Sequence, residues 1–223
     1  MKIQKILNKD NIAHINSLIE KLEFIDGKIS AAGLAKKVKN NAQVNPVGET
    51  YQELHLYIQK ILHENSWIKN RFFPKQFSST MINKYIAGES YGRHMDSSHI
   101  QTSKYGVLRR DFSYTLMLTN KDDYEGGELK IENPENIIQS VKLDAGDIVI
   151  YPSNRIHSVL EVTKGERVAF VGWICSYIKN YEGQKLLDSF GDLQLALTKY
   201  KLSYDDELLL THFKNNLIHS LSD

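Results

Sequence analysis

Residues 140–176 read SVKLDAGDIVIYPSNRIHSVLEVTKGERVAFVGWICS. Within this stretch, residues 147–151 and 168–176 are short runs rich in Ile, Val, Tyr and Phe, which are side chains that favour strands. Asp-Ala-Gly at 144–146 and Lys-Gly at 164–165 separate these runs and are typical of turns. Short strands at even spacing indicate a sandwich or a jelly-roll barrel. The stretch therefore predicts a β-rich core.

The same pattern extends back to about residue 71, with helical periodicity on both sides of it. The predicted strands are residues 80–86, 114–118, 128–131, 140–143, 147–151, 158–161 and 168–176. The predicted helices are the apolar stripes Ile12 to Leu22 and Tyr51 to Leu62, with residues 31–39, 185–199 and 205–221. We expect a mostly β protein with flanking helices and one structural unit: helical support over 1–70, a jelly-roll core over 71–180 and a helical extension over 181–223.

Composition excludes several classes of protein. The 223 residues carry 28 Lys and Arg against 27 Asp and Glu, a net charge of +1, which gives no basic excess for non-specific nucleic-acid binding. The longest apolar runs are far shorter than the roughly 20 residues that cross a bilayer, and no secretory signal is visible. One cysteine, Cys175, excludes an internal disulfide. We expect a cytoplasmic protein that binds neither nucleic acid nor membrane.

Two histidines and one aspartate predict a metal site. His94 and Asp96 are two positions apart, so on a strand their side chains would share one face, and His157 follows the predicted strand 147–151. Two imidazoles and one carboxylate on one face of a metal are the ligands of non-haem Fe(II) oxygenases, which keep the remaining positions open for a 2-oxo acid and dioxygen. The sequence therefore predicts an oxygenase iron site.

Arg167 is the predicted anchor of the 2-oxo acid. It lies ten residues after His157, and its guanidinium could form a two-pronged ion pair with the distal carboxylate of the acid. Tyr85 is a second candidate donor to the same acid. The residues alone leave an alternative open, in which His94 caps a turn, His157 is a satisfied barrel histidine and Arg167 forms a surface ion pair.

The chain resembles the PKHD-type hydroxylases, a branch of the Fe(II)- and 2-oxoglutarate-dependent dioxygenases of the prolyl-hydroxylase type. The resemblance covers about residues 24 to 180. The stretches that carry it are FIDG (24–27), AGLA (32–35), VKNN (38–41), YGRHMD (91–96), RRDFS (109–113), DDYEGGEL (122–129), VKLDAGD (141–147), YPS (151–153), IH (156–157) and RVA (167–169).

The resemblance implies a double-stranded β-helix with Fe(II) on His94, Asp96 and His157 and 2-oxoglutarate on Arg167. It also implies a procollagen-proline-dioxygenase-like reaction, in which 2-oxoglutarate is decarboxylated to succinate while a C–H bond is hydroxylated. Ascorbate keeps the iron reduced in such relatives. The expected substrate is a prolyl residue in a peptide or protein.

Two other functions stay open at the level of sequence. The first is hydroxylation of a small molecule, such as a free amino acid or a siderophore with a role in iron homeostasis. The second is a non-catalytic, cupin-like binding module. The complete set of His94, Asp96, His157 and Arg167 argues against the binding module, because such a module needs no anchor for an oxo acid.

Four further features carry weaker expectations. Gly126-Gly127 predicts a turn with positive φ. Trp173 and Cys175 are predicted core residues. The polar segment 97–108 is either a mobile lid over the site or a solvated connector. The C-terminal helices are expected either to cover the barrel or to contact a second copy of the chain.

Overall fold

The computed structural model describes residues 1–102 and 105–222, with the side chain of Ser79 outside the description. Its strands are β1 (Lys2–Lys5), β2 (Phe24–Asp26), β3 (Lys39–Asn40), β4 (Ala42–Val44), β5 (Pro74–Ile86), β6 (Ser90–His94), β7 (His99–Thr102), β8 (Gly106–Arg109), β9 (Phe112–Met117), β10 (Tyr124–Gly126), β11 (Leu129–Glu132), β12 (Ile138–Val141), β13 (Asp147–Pro152), β14 (His157–Val159) and β15 (Val162–Ser176). Its helices are α1 (Lys9–Ile19), α2 (Gly33–Lys37), α3 (Glu49–Glu64), α4 (Ser66–Phe72), α5 (Tyr181–Leu197) and α6 (Tyr204–Leu221), with one 3₁₀ turn at Gly27–Ser30.

Two antiparallel sheets form the core. The major sheet has the order β1-β13-β9-β15-β5-β4-β2, and β10 pairs with β15 beside this path. The minor sheet has the order β12-β11-β14-β6-β3, and β7 and β8 form a separate hairpin. Most neighbouring strands in the two sheets are not consecutive in the chain, as in a jelly roll; β4–β5 and β11–β12 are consecutive pairs. The predicted jelly-roll core with flanking helices is confirmed.

The N-terminal helices pack on the outer face of the major sheet. In α3, Leu54, Ile58 and Leu62 recur every four residues, so they form one fully buried stripe. They share a single apolar cluster with Phe170 and Ile174 of β15 and with residues of α1 and α4. We call this cluster the outer core.

The inner face of the same sheet looks into the jelly roll. Successive side chains of a strand point to opposite faces, so Ala169 of β15 faces inward while its neighbour Phe170 faces the helices. Tyr85, Tyr151 and Met117 of the neighbouring strands are buried with Ala169 in a second cluster. We call this cluster the inner core.

The structure differs from the prediction most in residues 1–70. Four short strands, β1 to β4, lie there among the helices and extend both sheets. They are only two to four residues long, which is too short for an alternating pattern to be recognised in the sequence. The predicted helix 31–39 is correspondingly shorter, because α2 ends at Lys37 and strand β3 begins at Lys39.

Segment 97–108 contains the β7–β8 hairpin rather than an irregular loop. Residues 103–104 lie outside the described part, and the lid role of the segment stays a prediction.

At the other end of the chain, α5 contacts α4 through Arg71, whose guanidinium bonds Asp188 at 3.2 Å and Asp192 at 2.9 Å. Among the described residues, no helix combines the length and the hydropathy of a bilayer span.

Candidate active site

Two neighbouring strands of the minor sheet bring the predicted histidines together. His94 is the last residue of β6, His157 is the first residue of β14, and the two are direct partners in the antiparallel register. Their ring centroids are 4.2 Å apart. The 62 residues between β6 and β14 include most of the barrel, so the fold and not local sequence creates this contact.

Asp96 reaches the same point from outside the strand. The prediction that His94 and Asp96 share a strand face is wrong in detail, because β6 ends at His94. The Asp96 carboxylate is instead held by two donors to Oδ2, the Ser113 hydroxyl at 2.6 Å and the Trp173 indole N–H at 2.9 Å. The potential ligand atoms of His94, Asp96 and His157 all lie within 4.8 Å of one another.

The backbone sets the orientation of both imidazoles. His94 Nδ1 lies 2.8 Å from the Gly92 carbonyl oxygen, and His157 Nδ1 lies 3.0 Å from the Arg155 carbonyl oxygen. A carbonyl oxygen only accepts hydrogen bonds, so each Nδ1 carries a proton, and in the neutral ring Nε2 is then the atom with the free lone pair. Metal-binding histidines are commonly oriented in this way. The donor set therefore fits a divalent transition metal.

The environment of His94 keeps its ring neutral. Burial and then the neighbouring His157 lower the pKa of His94 to about 4, because a second positive charge in this space is unfavourable. The Tyr91 ring stacks on His94 at a centroid distance of 3.6 Å and an angle of 14°. A neutral imidazole binds a metal without first losing a proton.

Arg167 and Tyr85 form the second part of the site. They are direct partners between β15 and β5, and each is only 2% exposed. The Arg167 guanidinium carbon lies 5.3 Å from the centre of the Tyr85 ring. Burial raises the pKa of Tyr85 to about 12, so its phenol keeps its proton at neutral pH and can donate it in a hydrogen bond.

The charge of Arg167 has no partner within the described chain. No described carboxylate lies within 4.0 Å of its guanidinium, which donates to the Met117 sulfur at 3.8 Å, and its Nε has no hydrogen-bond acceptor in the described chain. Buried cations are normally paired, because an isolated charge in a protein interior is very unfavourable. The alternative of a surface ion pair at Arg167 is therefore excluded, because the side chain is 2% exposed and no described carboxylate pairs with it.

Gly127 makes room for Arg167. Gly126 and Gly127 have φ values of +74° and +66°, so the predicted positive-φ turn is present. A Cβ atom on Gly127 would lie 3.1 Å from Arg167 Cδ and 2.9 Å from a Val162 methyl. The turn thus has a second role, because it leaves space for the arginine side chain.

All five predicted site residues line one cavity of about 1220 Å³. His94, Asp96 and His157 lie in it together with Tyr85 and Arg167. The structure therefore brings together the residues predicted for the metal site and for the oxo-acid site.

Two residues that hold Asp96, Ser113 and Trp173, were not predicted to belong to the site. Ser113 had no predicted role, and Trp173 was predicted only as a core residue. Trp173 is indeed 7% exposed, and its N–H also bonds the carboxylate. Strand parity is a signal that could have found Trp173, because Arg167 and Trp173 are an even number of residues apart on β15 and so face the same side. Cys175 is buried, as predicted.

Comparison with known proteins agrees with this geometry. Residues 80–175 match the family model of the 2OG-Fe(II) oxygenase superfamily. A PKHD-type hydroxylase of Prochlorococcus marinus is 36% identical over 214 residues, which are 96% of this chain and 94% of the relative. A second one from the same species is 37% identical over 216 residues, again 96% of this chain and 95% of the relative.

Among solved structures, one neighbour is a prolyl hydroxylase from Trichoplax adhaerens in complex with a hypoxia-inducible-factor peptide. It has a TM-score of 0.58 at 15% identity and covers 83% of this chain and 86% of its own. At that identity the likeness concerns the fold. Fold and relatives together define a 2-oxoglutarate-dependent Fe(II) dioxygenase. Because the relatives match nearly the whole chain at more than a third identity, the chain belongs to the PKHD-type hydroxylases.

Proposed function

We propose that His94, Asp96 and His157 hold Fe(II), and that Arg167 and Tyr85 hold the distal carboxylate of 2-oxoglutarate. The observation that carries this proposal is that a cluster of metal-ligating atoms and a buried arginine without a carboxylate partner line the same cavity. Bound iron and 2-oxoglutarate would supply the activation of dioxygen. The reaction would hydroxylate an unactivated C–H bond and release succinate and CO₂.

The side chains of the chain orient the reactants. Ser113 and Trp173 fix one oxygen of Asp96, which limits the rotation of the carboxylate. The backbone carbonyls fix the rings of His94 and His157. Such outer contacts typically change metal affinity 10- to 100-fold. Asp96 also favours hydroxylation over halogenation, because a small residue there would leave space for a halide.

For the substrate we propose a prolyl residue in a peptide or protein. A fold neighbour from Pseudomonas putida is a prolyl-4-hydroxylase, at 20% identity, a TM-score of 0.50 and 78% coverage of this chain and 91% of its own. A small molecule, such as a free amino acid or a siderophore, is the second candidate, because the site lies inside a cavity and not on an open surface. We also propose that ascorbate keeps the iron reduced and that the protein works in the reducing cytoplasm.

Succinate formation tests the assignment. Purified protein with Fe(II), 2-oxoglutarate, ascorbate and oxygen should form succinate slowly without substrate, and His94→Ala, Asp96→Ala and His157→Ala should each abolish it. His99→Ala is the matched control, because His99 is exposed on β7, and it should retain the wild-type rate. Succinate formed at the wild-type rate by all three variants would refute the metal site.

Arg167→Leu separates the oxo-acid site from the metal site. The variant should need a much higher 2-oxoglutarate concentration while its affinity for Fe(II) stays close to wild type, because Arg167 is not a metal ligand. Loss of iron with no change in the 2-oxoglutarate requirement would contradict the assigned role. For the substrate, mass spectrometry of host extract should show a product heavier by one oxygen atom only when the active enzyme is added.

A further inference from the structure

Lys39 is a buried cation in the wall of the active-site cavity. It lies on β3, where it is the direct partner of Tyr91 on β6, and it is 2% exposed. Its Nζ lies 5.3 Å from the centre of the Tyr91 ring, which in turn stacks on His94. Lys39 therefore lies one side chain away from the metal site.

The ammonium group of Lys39 is incompletely satisfied. It donates one hydrogen bond, to the Ser30 hydroxyl at 2.8 Å, although an ammonium has three donors. No described carboxylate lies within 4.0 Å of it; burial lowers its pKa to about 8, against weaker opposing effects of Asp26 and Asp96. A buried, incompletely paired cation in the wall of a cavity is a candidate binding group for an anion.

Arg110 is a second cation beside the site, and its side chain is half-buried. Its guanidinium carbon lies 3.8 Å from the centre of the Trp173 ring, and Trp173 bonds Asp96. Its Nε is buried and has no hydrogen-bond partner in the described chain. Arg110 lines the cavity together with Lys39.

The charges of the proposed reaction leave these two cations unused. Fe(II) and the 2-oxoglutarate dianion balance each other, and so do Asp96 and Arg167. Lys39 and Arg110 then remain as positive charges in a cavity that still has to admit the substrate. An acidic group on the substrate would neutralise at least one of them.

Apolar side chains lie among the cavity lining as well. Leu34 on α2 is 79% exposed and Met95 is 57% exposed, and Ile156 lies beside His157 on the same cavity. Exposed apolar side chains around a concave site are typical of a surface that binds an apolar ligand. The cavity thus combines apolar, exposed side chains with buried positive charge.

We propose that Lys39, assisted by Arg110, recognises an acidic group on the substrate, and that the substrate combines this group with an apolar body. The inference rests on the proposed function, because it takes Arg167 to be the partner of 2-oxoglutarate and therefore unavailable to the substrate. A free small acid and an acidic residue in a peptide share this chemistry, and the experiment below distinguishes them.

Binding of matched probes tests the proposal. In protein loaded with Mn(II) and saturating 2-oxoglutarate, calorimetry compares 3-phenylpropionate with its amide, and N-acetyl-Phe-Pro-Glu-amide with the corresponding Gln peptide. At least one acid should bind about tenfold more tightly than its neutral partner, because it forms a charge-assisted hydrogen bond. Preference within the first pair identifies a small acid, and preference within the second pair an acidic peptide.

Variants identify the residue responsible. Lys39→Met should abolish the preference for the acid, whereas Lys37→Met, which removes an exposed lysine of α2, should keep it. Lys39→Met should also unfold at the same or a higher temperature than wild type, because a buried unpaired charge has been removed. A lower melting temperature would show a structural role for Lys39 and overturn the proposal.

The other possible results of these experiments also test the proposed role of Lys39. Absence of a preference for either acid, or a preference that survives in Lys39→Met, overturns the inference. The affinity of Lys39→Met for 2-oxoglutarate should equal that of wild type. If wild-type protein fails to bind Mn(II) and 2-oxoglutarate at all, the proposed function fails first, so the two failures are distinguishable.

Discussion

The two faces of the major sheet bury different kinds of side chain. On the outer face, Leu54 and Ile58 of α3 pack against Phe170 of β15 in an apolar cluster. On the inner face, the same strand carries Arg167 beside Tyr85 and Trp173 beside Asp96. Alternate residues of β15 thus stabilise the outer core on one face and line the active site on the other.

Because different residues are responsible, the stability of the fold and the binding of ligands at the site are separable. The outer core is stabilised by the burial of apolar surface. Loss of side-chain volume there lowers stability, but this stabilisation does not depend on the residues of the active site. The inner face also carries buried charged and polar groups, such as Arg167 and His157, that are costly in the free protein. Substitutions on either face should therefore affect stability and ligand binding independently.

Ile58→Ala should give the largest change in stability. Ile58 is fully buried, and the truncation should lower the free energy of unfolding by about 2–5 kcal/mol through lost burial and a cavity. Chemical denaturation measures this change. The folded fraction should bind Fe(II) and 2-oxoglutarate as wild type does, and an equal loss of metal affinity would show that the two cores are coupled.

Trp173→Phe should weaken metal binding and leave stability nearly unchanged. The ring volume is largely kept, but Asp96 loses the donor at 2.9 Å, so affinity for Fe(II) should fall about 10- to 100-fold. Metal titration of the apoprotein measures this. Trp67→Phe is the control, because Trp67 packs against the outer core and does not line the cavity; it should leave metal affinity unchanged.

Gly127→Ala should have a smaller effect, both on stability and on the binding of 2-oxoglutarate. The residue has φ +66°, and the added Cβ would press on Arg167 Cδ. We expect a loss of about 1–2 kcal/mol in the free energy of unfolding. The requirement for 2-oxoglutarate should rise because Arg167 is displaced; an unchanged requirement would show that Arg167 does not hold the acid or can adjust freely.

The smallest change concerns pH. His94 has a pKa of about 4 in the folded protein, below the ordinary value of 6.5, so the folded state binds fewer protons between these values. The stability of the metal-free protein should therefore be complete above pH 6.5 and decrease as the pH falls towards 4. Between pH 7 and pH 5.5 the loss from His94 is about 1 kcal/mol. Denaturation of His94→Gln across this range should show a shallower slope, and an equal slope would contradict the buried neutral imidazole.

The contrast between the two cores also explains what could be predicted from the sequence. His94, His157, Arg167 and Tyr85 were recognisable because each carries unusual chemistry in a β-rich setting. The outer core was recognisable because its apolar residues, such as Leu54 and Ile58, repeat at helical spacing.

The parts that were missed depend on tertiary contacts. Asp96 is held in place by hydrogen bonds from Ser113 and Trp173, which are 17 and 77 residues away along the chain. Strands β1, β3 and β4 exist because longer strands offer them a partner edge, as β13 does for β1, and β2 pairs in turn with β4. Neither effect leaves a local pattern, because hydrogen bonds between distant residues have no sequence period.

The position of Lys39 has an evolutionary consequence. The Ser30, Lys39 and Gln43 side chains form one hydrogen-bonded group in the cavity wall, and all three precede residue 44. The residues assigned to iron and 2-oxoglutarate all lie between positions 85 and 167. By the role proposed for Lys39, substitutions in the first segment would change substrate preference and leave the residues assigned to iron and 2-oxoglutarate unchanged. Selection on this short N-terminal stretch would then alter the substrate, although Arg110, the second proposed contact, lies outside it.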